Sequence, residues 1–276
     1  MRVTRAAVIL ALTVGLSGLA WPAEAEVTTY VRYTYQGTTS YGVLEGEQIR
    51  ELDKAPFEGG HPTGVTVARS AVELLAPTEP SKVIAVGFNY RSHRDDREFP
   101  AEPPIFLKLP TTIVGPEAEI VFPEGASNVH FEGELVVVIG TTARRISPDE
   151  AAGYIFGVTA GNDVSERDWQ AADLQWFRAK GSDTFGPLGP VLVRGLDYND
   201  LLLQTRLNGT IMQSERTSDL IHDVHEIVSF VSRFVTLYPG DVIYTGTPGD
   251  TSAMKPGDVV EIELEGVGVL RNRIAR

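Results

Sequence analysis

The chain has 276 residues, 42% hydrophobic and 22% charged, a balance that excludes disordered and fibrous architectures. That length allows one large domain, or a small domain followed by a larger one. Asp and Glu number 37 against 24 Lys and Arg, and the formal net charge of −13 repels phosphate backbones, which excludes nucleic acid as a partner. There is no cysteine, hence no disulfide framework, thiolate nucleophile or cysteine-held metal site.

Residues 1–25 read as an export signal. Arg2 and Arg5 give a positive start, Ala6 to Ala20 is an almost unbroken apolar run, and Ala23-Glu24-Ala25 offers small residues at the positions a signal peptidase reads. Cleavage is expected after Ala25, and the apolar run falls short of the ~20 residues that span a bilayer. The expectation is an exported protein, periplasmic in a Gram-negative cell, with no membrane association after cleavage.

Residues 26–78 alternate Val, Tyr and Thr between glycine-containing turns, which predicts a small N-terminal β domain of short antiparallel strands. Ala71 to Leu75 reads as a turn or two of helix. Pro77 and Pro80 then bracket a linker into a second domain, residues 79–276. That domain opens on a buried strand, Lys82 to Val86, followed by a charged loop from Arg91 to Glu98. Asn208-Gly209 within TRLNGTIM is a strong hairpin signal. Ser147, Pro148 and Glu150 mark a helix start, and the apolar spacing predicts a helix over 220–237. The fold class is therefore α+β and strand-rich, with few helices.

The most informative segment is HFEGELVVVIG, residues 130–140. Leu135 to Ile139 reads as a buried strand, and extending it backwards puts His130, Glu132 and Glu134 on one face. Glu-x-Glu on a strand is usually a solvated face. Here the pair leads straight into core, and Asp163 in GNDVSERD follows another apolar run, Tyr154 to Val158. Were the three carboxylates to meet, each close pair would repel by about 4 kcal/mol at an effective dielectric of 20. Such a cluster needs a cation, and oxygen-only ligands favour Mg²⁺ or Mn²⁺ over zinc.

VIAVGFNYRSH, PPIFLK, HFEGELVVVIG, GNDVSERDWQ, AKGSDTFGPLGP, LNGTIMQSERTSDLI and YPGDVIYTGTP, taken together and in this order, resemble the fumarylacetoacetate hydrolase family over about residues 80–276. The resemblance implies a catalytic domain of mixed β-roll type and a homodimer. It implies one Mg²⁺ or Mn²⁺ per subunit, held by Glu132, Glu134 and Asp163. It makes His93 the water-activating base, with Asp96 where the family has Glu, one carbon longer. It places Lys180 beside the reacting carbonyl and Gln170 and Thr247 against the substrate. Lys108, at the end of an apolar strand, and Arg91 are further candidates for a substrate carboxylate. The reaction so implied is hydrolysis of a C–C bond in a 2,4-dioxo acid, of acylpyruvate or fumarylpyruvate type, through a pyruvate enolate. Decarboxylation or isomerisation of related 2-oxo acids such as oxaloacetate shares that enolate. A catalytically lapsed, exported oxo-acid binding protein is the alternative outside catalysis.

His222 and His225 flank Asp223-Val224 and are expected to be exposed rather than a second metal site; His61 lies in a loop, and His130 is placed to support the acidic cluster.

Overall fold

A computed structural model describes residues 26–93, 98 and 100–276. The export signal and Asp96 lie outside the described residues. Among those described, no helix is long and apolar enough to cross a membrane.

Strands β1 (Thr28–Tyr35), β2 (Thr38–Glu45), β3 (Gln48–Leu52) and β4 (Pro62–Ala68) form the antiparallel meander that their alternation predicts. The segment read as helix is instead a 3₁₀ turn at Arg69–Ala71 followed by β5 (Glu73–Leu75), which pairs with β1. Pairing of Thr34 with Glu73 and of Tyr33 with Leu74 satisfies backbone groups that a one-turn helix would leave open. The proline-bracketed stretch is docked: Thr78 is fully buried and its hydroxyl donates to Gly240 O.

The chain continues through β6 (Val83–Val86), β7 (Ile105–Lys108), β8 (Ile113–Val114), β9 (Glu119–Val121), β10 (Val129–His130) and β11 (Gly133–Ile139). A 3₁₀ helix, Pro148–Tyr154, leads into β12 (Ile155–Asn162) and β13 (Ser165–Glu166). Two short helices follow, α1 (Arg167–Ala172) and α2 (Phe177–Gly181), and then β14 (Gly186–Arg194). The Asn208-Gly209 turn joins β15 (Leu202–Leu207) to β16 (Thr210–Arg216), as its sequence demands. Helix α3 (Val224–Phe234), β17 (Val242–Tyr244), β18 (Val259–Leu264) and β19 (Gly268–Ala275) complete the chain.

One large sheet runs β4-β3-β2-β1-β14-β12-β11-β17-β6-β7, and a smaller one runs β16-β15-β18-β19-β9. Both are mixed: β17 pairs parallel to β6, and β19 parallel to β9. Strand β11 explains its own unbroken apolar run. Leu135, Val137 and Ile139 join the core shared with the smaller sheet, whereas Val136 and Val138 pack with Val83, Val242 and Tyr244 on the other side. A strand covered on both faces has no use for polar alternation.

The predicted helix over 220–237 is shorter at both ends. Asp223 caps it, accepting from Glu226 N while Glu226 accepts from Asp223 N, and Val235 is already extended. At Ser147 the Glu150 carboxylate accepts from both the backbone N and Oγ, and Glu150 N donates to Ser147 O, but the turn so opened is 3₁₀.

Candidate active site

The acidic cluster is built by the β11–β12 pairing. Gly133 lies opposite Asn162 in the antiparallel register, so the residues just outside that pair, Glu132 and Asp163, are brought together. Asp163 N donates to Glu132 O at 2.9 Å, and Glu132 N donates to Asn162 Oδ1 at 2.9 Å. Glu134 stands opposite Gly161, where any side chain would strike Tyr244 and Val136. The strand expected to run from His130 to Ile139 is interrupted at 131–132, so Glu132 reaches the cluster from a break rather than from strand alternation.

Glu132, Glu134 and Asp163 are all buried, and each offers a carboxylate oxygen within 4.8 Å of the others. Three ionised groups this close and this far from water must be compensated. Lys180 Nζ donates to Glu132 Oε2 and to Asp163 Oδ2, both at 2.6 Å. Lys108 Nζ donates to Asp163 Oδ1 at 2.6 Å and to Lys180 O at 2.6 Å. Arg167 donates to Glu132 Oε1 at 2.6 Å.

These contacts split the carboxyls. Burial opposes ionisation of Glu132, but Arg167, Lys180 and His93 outweigh it and hold the group well below the usual carboxylate range. Among the described residues, Glu134 has Gly246 N as its single close donor, at 2.7 Å; burial, with the charges of Asp163 and Glu132, pushes it well above that range. Burial also works against the Lys180 charge, yet Asp163 and Glu132 keep that ammonium raised. For Lys108 burial prevails and the shift is downward.

The cluster opens into a pocket of about 500 Å³. Strands β6 and β17 run parallel and both end there, delivering Gly87 and Phe88 from one and Thr247 from the other. His93, on a 3₁₀ turn (Arg91–His93), lines the same pocket. Its Nδ1 lies 2.5 Å from Gly249 O, which as a carbonyl can only accept, so Nδ1 carries the proton. That leaves Nε2 as the basic nitrogen, 3.7 Å from Glu132 Oε1. The orienting partner visible for His93 is thus the Gly249 carbonyl.

Thr247 and Gln170 line the pocket. Thr247 Oγ1 donates to Gly133 O at 2.9 Å, and Gln170 Oε1 accepts from Arg167 at 2.8 Å. Lys108 and Arg91 are placed differently. Lys108 is buried, does not line the pocket, and holds Asp163 and the Lys180 carbonyl. Arg91 is exposed on the turn that carries His93 and does not line the pocket. His130 supports the site through a relay: its Nδ1 meets Thr251 Oγ1 at 2.9 Å, and that hydroxyl accepts from Arg167 at 2.9 Å. His222 and His225, expected to be exposed, are half-buried instead, His222 Nε2 lying 3.1 Å from Pro100 O and His225 Nε2 2.9 Å from the Tyr198 hydroxyl.

Sequence reasoning missed Arg167, Phe88 and Trp176. Arg167 sat in plain view in SERDWQ, but a lone arginine opening a helix carries no signal until the Glu132 contact is seen.

The donor set fits a hard divalent ion, because all three converging groups are carboxylates and, among the described residues, no nitrogen or sulfur ligand joins them. Lys108, Lys180 and Arg167 already match the three carboxylates in formal charge, so a bound dication would leave the site net positive. Such a site suits an anionic substrate even in an acidic protein.

The profile of the fumarylacetoacetate (FAA) hydrolase C-terminal domain matches residues 82–275, and that of the Rv2993c-like N-terminal domain matches residues 29–77. The mitochondrial oxaloacetate tautomerase FAHD2A of Bos taurus is 38% identical over 261 residues, 89% of this chain and 79% of its own. The crystal structure of 2-hydroxyhepta-2,4-diene-1,7-dioate isomerase from Mycobacterium marinum is 44% identical, with a TM-score of 0.85 over 90% of this chain and 98% of its own. That of maleylpyruvate hydrolase from Sphingobium sp. SYK-6, in complex with manganese(II) and pyruvate, is 25% identical, with a TM-score of 0.74 over 90% and 98%. With 194 consecutive residues matched and the buried acidic cluster in place, the chain belongs to the fumarylacetoacetate hydrolase family, whose members include hydrolases and isomerases.

Proposed function

We propose that the protein is a divalent-metal-dependent hydrolase that cleaves the C3–C4 bond of a 2,4-dioxo acid. The observation that carries this reading is His93: its proton is pinned on Nδ1 by Gly249, and its basic Nε2 faces the pocket that holds the acidic cluster and Lys180. A base so held takes a proton from water as the water oxygen bonds to C4. The C3–C4 bond then breaks, its electron pair passes to C3 and into the C2 carbonyl as an enolate, and protonation at C3 gives pyruvate and a carboxylic acid. Lys180 places a fixed positive charge beside the position where the enolate develops. Glu132, Glu134 and Asp163 are the residues that would hold Mg²⁺ or Mn²⁺, which supplies Lewis-acid stabilisation of negative charge on oxygen.

A second reading is proton transfer at C3 without bond cleavage. It is favoured by the names of the Bos taurus tautomerase and the Mycobacterium marinum isomerase, and it needs the same base with no activated water. Incubation of the mature protein with acetylpyruvate and Mg²⁺ in D₂O, followed by proton NMR, separates the two. Hydrolysis gives acetate and pyruvate, whereas proton transfer gives C3 deuteration at a rate the uncatalysed control does not reach. Metal-dependent binding with neither outcome would leave a lapsed enzyme that captures oxo acids.

We also infer export and pairing of two chains. Sequencing the mature N-terminus checks the first, with Glu26 expected at position one; sedimentation checks the second, with twice the chain mass expected.

A further inference from the structure

Three aromatic rings form one wall of the pocket, and none of them is used by the chemistry above. The Lys180 ammonium lies 5.0 Å from the centroid of the Phe106 ring. Phe106 meets Trp176 edge-on, with centroids 5.1 Å apart, and Trp176 meets Phe88 edge-on at 6.4 Å. Phe88 in turn stacks on the His93 imidazole, at 6.4 Å and 28°. The rings therefore make a continuous arc from the ammonium to the base.

Two backbone features hold the arc in place. Trp176 is one helical turn before Lys180, and its carbonyl accepts from Lys180 N at 3.0 Å, which fixes the two backbones relative to each other. Phe88 has φ +53, a left-handed conformation that a bulky residue rarely adopts and that persists where the surroundings over-determine it.

The remaining wall gives an anion little. Among the described residues lining the pocket, Lys180 is committed to Glu132 and Asp163, and Arg167 to Glu132, Gln170 and Thr251. Asp250 adds a negative charge to the lining. Among the described residues of this wall, a carboxylate at the far end of the substrate would meet no uncommitted cation to replace its hydration, whereas a flat π-system would stack on the arc.

We propose that Phe106, Trp176 and Phe88 form the subsite for the part of the substrate beyond C4. The subsite selects an uncharged planar acyl group, of aroyl or enoyl type, over one that ends in a carboxylate. The assignment rests on the 2,4-dioxo acid reading and narrows it to one class of tail.

The test uses the full-length protein with Mg²⁺ and two probes, benzoylpyruvate and fumarylpyruvate. For each probe it measures kcat/KM and, by competition with oxalate, the dissociation constant. The expected result is a preference for benzoylpyruvate of at least tenfold. In Trp176→Ala that ratio falls to within threefold of unity, and in Trp176→Phe it is retained. Phe106→Leu, which alters the arc from a strand rather than from a short helix, lowers the ratio as well and serves if the alanine variant does not fold. Equal handling of the two probes, a preference for fumarylpyruvate, or a ratio unchanged in both Trp176→Ala and Phe106→Leu would overturn the subsite. Should neither probe be turned over, the hydrolase reading fails, and the dissociation constants alone still decide the subsite by the same tenfold criterion.

Discussion

Lys180 Nζ lies 2.6 Å from Asp163 Oδ2, with both side chains buried, and the same ammonium is equally close to Glu132 Oε2. One lysine from a short helix thus joins two carboxylates that arrive from different β-segments. Lys180→Met should act on two levels. Removing one partner of a buried charge cluster costs about 3–5 kcal/mol of stability in the metal-free protein. Removing a fixed donor beside developing negative charge costs about 10²–10³ in kcat. Denaturation with and without Mg²⁺ reads the first, and steady-state kinetics read the second. The stability loss should shrink when the metal is present.

His93→Ala should lower turnover about 10²–10⁴-fold, the usual contribution of a positioned general base. Oxalate binding in the presence of Mg²⁺ should survive, because no bond from His93 holds the carboxylates within hydrogen-bond distance. Calorimetric titration with oxalate checks the second half of the statement.

Glu134 gives the pH dependence its sign. Its folded carboxyl is raised well above the usual value, by burial and by the charges of Asp163 and Glu132. A raised folded value means that the stabilisation is fully present below the unfolded pKa and is lost as pH rises through the folded one. The metal-free protein should therefore lose thermal stability as pH rises from mildly acidic to neutral. Glu132 works oppositely but outside that window, since its folded carboxyl is depressed and its contribution is lost only at low pH. Glu134→Gln should flatten the neutral-side loss and raise the metal-free Tm at pH 8 by at least about 3 °C, roughly what 1 kcal/mol gives in a chain of this size. Calorimetric melts at pH 5 and pH 8 measure it.

Asp241 ties together the starts of β6 and β17, the two parallel strands that end at the pocket. Its carboxylate accepts from Ser81 N at 3.0 Å, Ser81 Oγ at 2.7 Å, Lys82 N at 3.1 Å and Tyr238 N at 2.7 Å. Asp241 is fully buried, but its donors lie at the surface edge and can turn to water, so Asp241→Ala should cost about 1–3 kcal/mol, seen as a lower denaturant midpoint.

The acidic cluster was legible because a buried strand follows Glu134 and an apolar run precedes Asp163, and charges at the ends of such segments are held near core. Their pairing register, which makes Glu132 and Asp163 neighbours, was not legible, since nothing local in the sequence sets which strand β11 meets. The roles of Lys108 and Arg167 were hidden for the same reason: each depends on a partner at least 35 residues away. Local chemistry was read well where it acts locally, at Asn208-Gly209, at Ser147 with Glu150, and in the alternation of β1 to β4. It failed at Ala71–Leu75, where pairing with β1 overrides a weak helical pattern.

The central claim is that Glu132, Glu134 and Asp163 grip one hard divalent ion. Titrating EDTA-treated protein with Mn²⁺, and following the free ion by electron paramagnetic resonance, tests it most directly. One ion per chain should bind, with affinity reduced at least tenfold in Glu132→Gln, Glu134→Gln and Asp163→Asn alike. Stoichiometric binding that persists unweakened in all three variants, or no binding up to millimolar Mn²⁺ in the unaltered protein, would contradict it.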